Sequence, residues 1–252
     1  MNDWEIKMEL MKGIVIKAIK YQENSKVLTI LTEHGLISCL VRNANNYKSK
    51  NFAYSQEMTE IEFDLSKSKR NSFDTLTTGR VINNYSNIKL IYQKTSSAMI
   101  VLELINQFAE FIEDYQTLYN FTTSIFSLIN NSNYEYLYSL IFKLKITYLL
   151  GIAPNFKHCN CDGSEFIGFS IKNGKMKCKK CYNDEKLEIG KIVEVLKVLY
   201  YMKISDMTED VLEYANNMIS LVEKFLTDYY QFHLDFISRS EKIIKKVTSN
   251  WN

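Results

Sequence analysis

Two close cysteine pairs constrain this chain more than any other feature. Cys159, Cys161, Cys178 and Cys181, four of its five cysteines, fall within the stretch His158–Cys181, which opens H-C-N-C-D-G and closes C-K-K-C. Sixteen residues separate Cys161 from Cys178, too few to build a hydrophobic core of their own. Two tight turns, each presenting two thiolates to one tetrahedral ion, supply what that core lacks. The second pair has the C-x2-C spacing of structural zinc sites, and the lysines between its members favour the thiolate form. The first pair is one residue tighter, so three first-pair sets compete: Cys159 with Cys161, His158 with Cys161 at x2 spacing, or Cys159 with Asp162, which precedes Gly163. The plainer alternative is four cysteines without metal, as thiols or disulfides. Four protein ligands leave zinc no open position, so the expected cofactor is a structural Zn2+ that staples the loop.

The rest of the composition sets bounds. At 252 residues and 46% hydrophobic the chain is long enough for one large domain or two to three small ones. A formal net charge of +2 means that any nucleic-acid site must be a local patch, not a global field. Clustered thiols with one left over, Cys39, fit a reducing, cytosolic compartment, and no apolar run reads as a signal peptide or membrane span.

Residues 1–84 read as a small β-barrel. Lys12–Lys20, Val27–Leu31 and Leu36–Val41 form a three-strand meander, with Glu33-His34-Gly35 turning between the second and third. Met58–Leu65 alternates with period two from Glu60 onward, and Ser72–Ile82 supplies a fifth strand. Five short strands without a helix long enough for a βαβ unit suggest a closed barrel such as the OB-fold, although a small sandwich would read almost the same. The intervening Arg42–Phe52 combines Arg42, Lys48 and Lys50 with Tyr47 and Phe52, side chains that can neutralise phosphates and stack on bases; a solvated loop is the plain alternative. Lys67, Lys69 and Arg70 read as a basic hairpin tip.

Residues 85–252 read as a helical domain with the cysteine module inserted at 155–186. Helical periodicity covers Leu90–Asp114, Leu118–Ile129, Tyr134–Leu150, Lys191–Met202 and Val211–Ile237. Glu110, Glu113 and Asp114 load negative charge at the end of the first of these, which the helix dipole disfavours. Gly151 and Pro154 end the third. Lys242-Ile-Ile-Lys245-Lys246 reads as a solvated helix end or an auxiliary contact, and His233 as an ordinary surface or core residue. No Walker A, G-x-S-x-G or G-x-G-x-x-G is present, and none of His34, His158 and His233 sits in a base motif, so no enzyme is expected.

Several stretches, in order, carry a resemblance. Gly13-Ile-Val-Ile-Lys17, Tyr21-Gln-Glu23-Asn-Ser25-Lys-Val27-Leu28-Thr29-Ile30-Leu31-Thr32 and Gly35 are followed by Asp74-Thr75-Leu76-Thr77, then by Gly151-Ile-Ala153-Pro154 and the cysteine cluster. Together they resemble the RecO family of bacterial recombination mediators, over roughly residues 10–185. The resemblance implies an α+β protein: an N-terminal OB-fold, then a helical body carrying a zinc module. It implies binding to single- and double-stranded DNA, annealing of complementary strands and, with RecR, loading of RecA onto DNA covered by single-strand-binding protein. It also implies a docking surface for that protein's acidic, hydrophobic-ended tail, suited to an aliphatic pocket rimmed by Lys or Arg, and a place in the bacterial cytoplasm at the nucleoid. The DNA face would comprise Lys17, Lys20, Lys26, Arg42, Lys48, Lys50 and Arg80, with Tyr47 as the stacking ring. Where the family pattern reads A-K-G-A-R, this chain has Val41-Arg42-Asn43-Ala44-Asn45, and Glu57 stands in the usual L-Q-P-F segment; both changes reduce positive charge. An OB barrel that docks protein and touches DNA incidentally is the competing expectation.

Overall fold

The computed structural model describes residues 10–67, 73–159, 161 and 165–249, with the side chains of 245–249 excepted. Lys69, Arg70 and Asp162, and the side chains of Lys245 and Lys246, lie outside the described residues. The chain divides into two compact units, and the one containing the strands of the N-terminal region also takes in Asp114–Phe126.

In that unit, β1 (Met11–Tyr21), β2 (Ser25–Thr32), β3 (Gly35–Val41), β4 (Thr59–Ser66) and β5 (Asp74–Asn83) close into a barrel in the order β1-β2-β3-β5-β4. The parallel pairing of Cys39 with Asp74 and Leu40 with Thr75 completes the ring, giving a five-stranded OB-like barrel. Val15, Leu28, Ile30, Val41, Ile61 and Phe63 belong to its core. Cys39 is also fully buried there, and burial together with nearby Asp74 pushes its thiol up to about 12. Gly13 is required by the β1–β2 approach, because an added Cβ would lie 2.4 Å from Ile30 Cγ2 and 2.8 Å from the Leu31 carbonyl oxygen. A bulge between Val15 and Lys17 then shifts the register of β1 against β2. A short helix, α1 (Lys50–Tyr54), follows the β3 loop, and its Tyr54 joins the barrel core.

The helical expectations hold with two instructive differences. After α2 (Ser86–Leu90), α3 runs from Tyr92 to Phe108 and stops before the acids that its dipole disfavours, giving way to a 3-10 turn at Ala109–Phe111. Asp114 instead precedes α4 (Tyr115–Asn131), and its Oδ1 accepts a hydrogen bond from the Thr117 N–H at 2.9 Å. At a helix start the same charge is favourable. The apolar pattern of Val211–Ile237 is split into α7 (Glu209–Asn216) and α8 (Ile219–Leu234) at Asn216-Asn217, residues whose side chains compete with helical backbone bonds.

In the second unit, α5 (Glu135–Ile146) is buried from Leu137 through Leu144, the expected signature of a central helix. Around it lie α6 (Lys191–Tyr201), α7, α8 and α9 (Arg239–Ser249), with α3 completing the bundle. Charged side chains finish the helix ends. Lys94 of α3 donates to the Ile129 carbonyl at 2.9 Å and to that of Ser132, and Lys145 of α5 donates to Tyr200 and Met202 carbonyls at 2.7 and 2.8 Å. Lys143 pairs with Glu241 of α9 at 2.6 Å, both side chains almost fully buried. Among the described residues, no helix is long and apolar enough to cross a membrane.

Glu103 of α3 caps α9 from outside the helix. Its carboxylate accepts from the Ser238 hydroxyl at 2.6 Å and from the N–H groups of Arg239 and Ser240 at 2.7 and 3.1 Å. Burial pushes its pKa up, but these donors outweigh burial and hold it below the ordinary carboxylate range. A folded pKa below the unfolded one stabilises fully above the unfolded value and is lost as pH falls through the folded one. Glu103→Gln should therefore lower Tm at neutral pH, and its deficit relative to the parent should shrink below about pH 4, read by circular dichroism melts. A deficit that grows with acid would contradict the cap.

Candidate four-cysteine centre and nucleic-acid face

The cysteine module is a hairpin, β6 (Phe166–Ser170) and β7 (Lys175–Cys178), with Leu187–Ile189 running alongside β6. Phe169 and Glu188 exchange backbone hydrogen bonds of 2.7 and 2.8 Å, and a Cβ on Gly168 would stand 2.7 Å from the Glu188 carbonyl oxygen. Aromatic rings fasten the hairpin to α8. Phe156 packs on Phe169 at 4.7 Å between centroids, and Phe169 packs on Phe225 at 5.6 Å. His233 has a definite structural task that its sequence context did not reveal: its Nε2 lies 2.8 Å from the Ile171 carbonyl oxygen, at the hairpin turn.

One ligand atom from each of Cys159, Cys161, Cys178 and Cys181 lies within 4.8 Å of the other three. Cys161 Sγ is 3.4 Å from Cys159 Sγ, 3.2 Å from Cys178 Sγ and 2.9 Å from Cys181 Sγ. All five cysteines are among the described residues, and none is joined in a disulfide. Tetrahedral thiolate ligation at about 2.3 Å from a metal sets sulfurs about 3.8 Å apart; the three separations around Cys161 are shorter than this, and all four sulfurs lie within 4.8 Å of one another. The donor set therefore fits a metal ion. The Cys178 thiol is held below its ordinary pKa by hydrogen bonding with Cys161, followed by the backbone N–H of Cys181, whereas for the Cys181 thiol the hydrogen bond with Cys161 is outweighed by burial and the adjacent Cys178 sulfur, which hold it above its own. His158 stands exposed outside the sulfur cluster, its N–H donating to Asn155 Oδ1 at 3.0 Å.

The basic residues of the barrel divide by register. The β1 bulge places Ala18, opposite Leu28, on the inward face, and Lys20, opposite Lys26, lies two residues farther along that face at the barrel end. Lys26 in turn pairs with Val41, which Arg42 follows. The loop after β3 folds back on this end: Asn45 N–H and Nδ2 donate to the Asn24 and Ser25 carbonyls at 3.2 and 3.0 Å. It displays Tyr47, 76% exposed, with the Lys48 ammonium 5.7 Å from its ring centroid, and leads to Lys50 at the start of α1. The structure thus brings Lys20, Lys26, Arg42, Tyr47, Lys48 and Lys50 to one end of the barrel. Lys17 falls on the outward face opposite Thr29, and Arg80 on the outer surface of β5, where Glu62 holds it at 2.6 Å.

Sequence reasoning missed two parts of this end. Lys26 donates to the Ser55 carbonyl at 3.2 Å and lies 5.3 Å from the Phe52 ring, so α1 seats it. Glu57 accepts from the Ala18 N–H at 3.0 Å, beyond the last β1–β4 pair, Val15 with Thr59. Burial holds the Lys26 ammonium below the ordinary lysine range, with Glu57 acting the other way. The available signal was Ser49, whose Oγ accepts from the Asn51 N–H as the N-cap of α1.

Residues 7–85 match the family described as Recombination protein O N terminal, and residues 91–241 match Recombination protein O C terminal. The chain belongs to the RecO family. Among its RecO relatives, the DNA repair protein RecO of Listeria monocytogenes serotype 4b (strain CLIP80459) is 25% identical over 246 residues, covering 95% of each chain. The DNA repair protein RecO of Caldicellulosiruptor saccharolyticus is 25% identical over 228 residues, 88% of this chain and 92% of its own. That of Caldicellulosiruptor bescii is 28% identical over 190 residues, 74% and 76% of the two chains.

A metal-ligand role for the four sulfurs can be checked by elemental analysis of the purified protein. A single metal ion per chain is expected, lost in Cys159→Ser and Cys178→Ser and retained in His158→Ala. Retention in Cys159→Ser with loss in His158→Ala would move the histidine into the ligand set.

Proposed function

We propose that this chain acts in DNA repair as a recombination mediator. It binds single- and double-stranded DNA, anneals complementary strands and, with RecR, helps load RecA onto DNA covered by single-strand-binding protein in the bacterial cytoplasm, at the nucleoid. The observation that carries this reading is the barrel end where Lys20 faces Lys26 across an antiparallel pair and onto which the loop displaying the exposed ring of Tyr47 folds back. Like charges directly opposite one another oppose pairing, and a bound polyanion relieves that repulsion. Family membership supports assigning the polyanion as DNA, because the relatives are named for DNA repair.

The mechanism is physical, with no covalent step. Lys20, Lys48, Lys50 and Arg42 offset phosphate charge while Tyr47 offers a base-stacking face. Lys26 contributes charge but is partly occupied by α1. Lys17 supplies charge on a different face, and Arg80 contributes least because Glu62 already compensates it. Zn2+ fits the four-thiolate donor set and, when bound, would cross-link the turns that carry the two cysteine pairs without an open position for catalysis. The residues around it hold the hairpin against α8.

The test is annealing of complementary oligonucleotides coated with single-strand-binding protein. Acceleration is expected, reduced about tenfold or more by combining Lys20→Glu, Lys48→Glu and Lys50→Glu, because each reversal removes one phosphate contact and adds a repulsion. A rate equal to the protein-free control would overturn the mediator reading in favour of a protein-docking barrel.

A further inference from the structure

An apolar groove lies between α6 and α7. Val195, Val198 and Leu199 from one helix and Val211, Tyr214 and Ala215 from the other line a cavity of about 340 Å3. The charged residues of the lining are Glu194 and Asp210, one from each helix. Lys191 and Lys197 are on α6 but do not line the groove. Val198 and Tyr214 remain 38% and 47% exposed. Among the described residues, neither Glu194 nor Asp210 enters an ion pair.

We propose that this groove docks a segment of a partner protein presenting aliphatic side chains at helical spacing flanked by Lys or Arg. An aliphatic floor with carboxylates on both walls is complementary to such a segment, in the manner of a helix laid into a groove. The apolar floor supplies the contact area, and the paired rim charges select the sign of the partner. The same rim repels an acidic segment, so this groove is the opposite of the Lys- or Arg-rimmed pocket that an acidic, hydrophobic-ended tail requires. The inference therefore adds a second kind of protein partner to the proposed function and does not depend on DNA binding.

Fluorescence anisotropy of the intact protein tests it. The probe is a labelled synthetic helical peptide of about fifteen residues, with leucines at i, i+3, i+4 and i+7 and lysines flanking them. Saturable binding is expected, weakened about tenfold by combining Glu194→Lys with Asp210→Lys. A comparable loss is expected when the peptide leucines are replaced by serine, and no binding when its lysines are replaced by glutamate. Equal or tighter binding of the glutamate peptide, or affinity unchanged by the double charge reversal, would overturn the proposal. Sedimentation velocity of the protein alone distinguishes the remaining occupant: self-association abolished by the same double reversal would assign the groove to a second copy of this chain and overturn the partner reading.

Discussion

The bulge in β1 between Val15 and Lys17 is the constraint on which the barrel end depends. An unbroken β1 would keep one parity inward, leaving Lys17 on the core side of Val15 and turning Ala18 and Lys20 outward. With one extra residue at the bulge, the parity changes. Ala18 joins the core, Lys17 reaches the outer surface, and Lys20 comes into register with Lys26. Beyond its last β4 partner, β1 also has an N–H at Ala18 facing away from β2, and the Glu57 carboxylate accepts it. The acid that lowers the positive charge of this end therefore has a structural reason to be there. It satisfies backbone that the departing strand leaves open.

A comparable economy governs the helical unit, where long charged side chains from central helices serve the ends of others. Lys94 and Lys145 bind carbonyls at helix C-termini, Glu103 binds the first N–H groups of α9, and Lys143 meets Glu241 in a nearly dry environment. Each places charge of the sign that the local backbone dipole favours, or pairs it fully. Removing one member of the Lys143–Glu241 pair would strand a buried charge, a loss of roughly 3–5 kcal/mol, far more than a surface pair carries. The cysteine module is attached to this framework through Phe156, Phe169, Phe225 and His233, so its four sulfurs rest on an anchored hairpin.

Much of this was legible in the sequence because the signals were local. Period-two alternation and turn residues gave the five strands, and the spacing of Cys159, Cys161, Cys178 and Cys181 pointed to the cluster that the fold assembles. What escaped was set by register or by distant partners. No local pattern in Gly13–Lys20 announces the bulge, so the faces of Lys17 and Lys20 could not be separated. The end of α3 illustrates a half-read signal: Glu110, Glu113 and Asp114 argued against a helix C-terminus at Asp114, and the helix stops at Phe108 while Asp114 precedes the next one. The groove of α6 and α7 was invisible because it depends on how two helices joined through Ile204–Asp206 pack against each other, which no local pattern states.

In the proposed function, the barrel end carrying Lys20, Lys26 and Tyr47 holds nucleic acid by phosphate neutralisation. The most direct measurement is anisotropy of a labelled single-stranded oligonucleotide titrated with the protein across a salt series, for the parent and for Lys20→Gln. The expected log–log salt slope is about −2 or steeper for the parent, since single-stranded contacts contribute about −0.7 each, and shallower by about 0.7 for the variant. Absence of binding at low salt, or a slope that Lys20→Gln leaves unchanged, would contradict it.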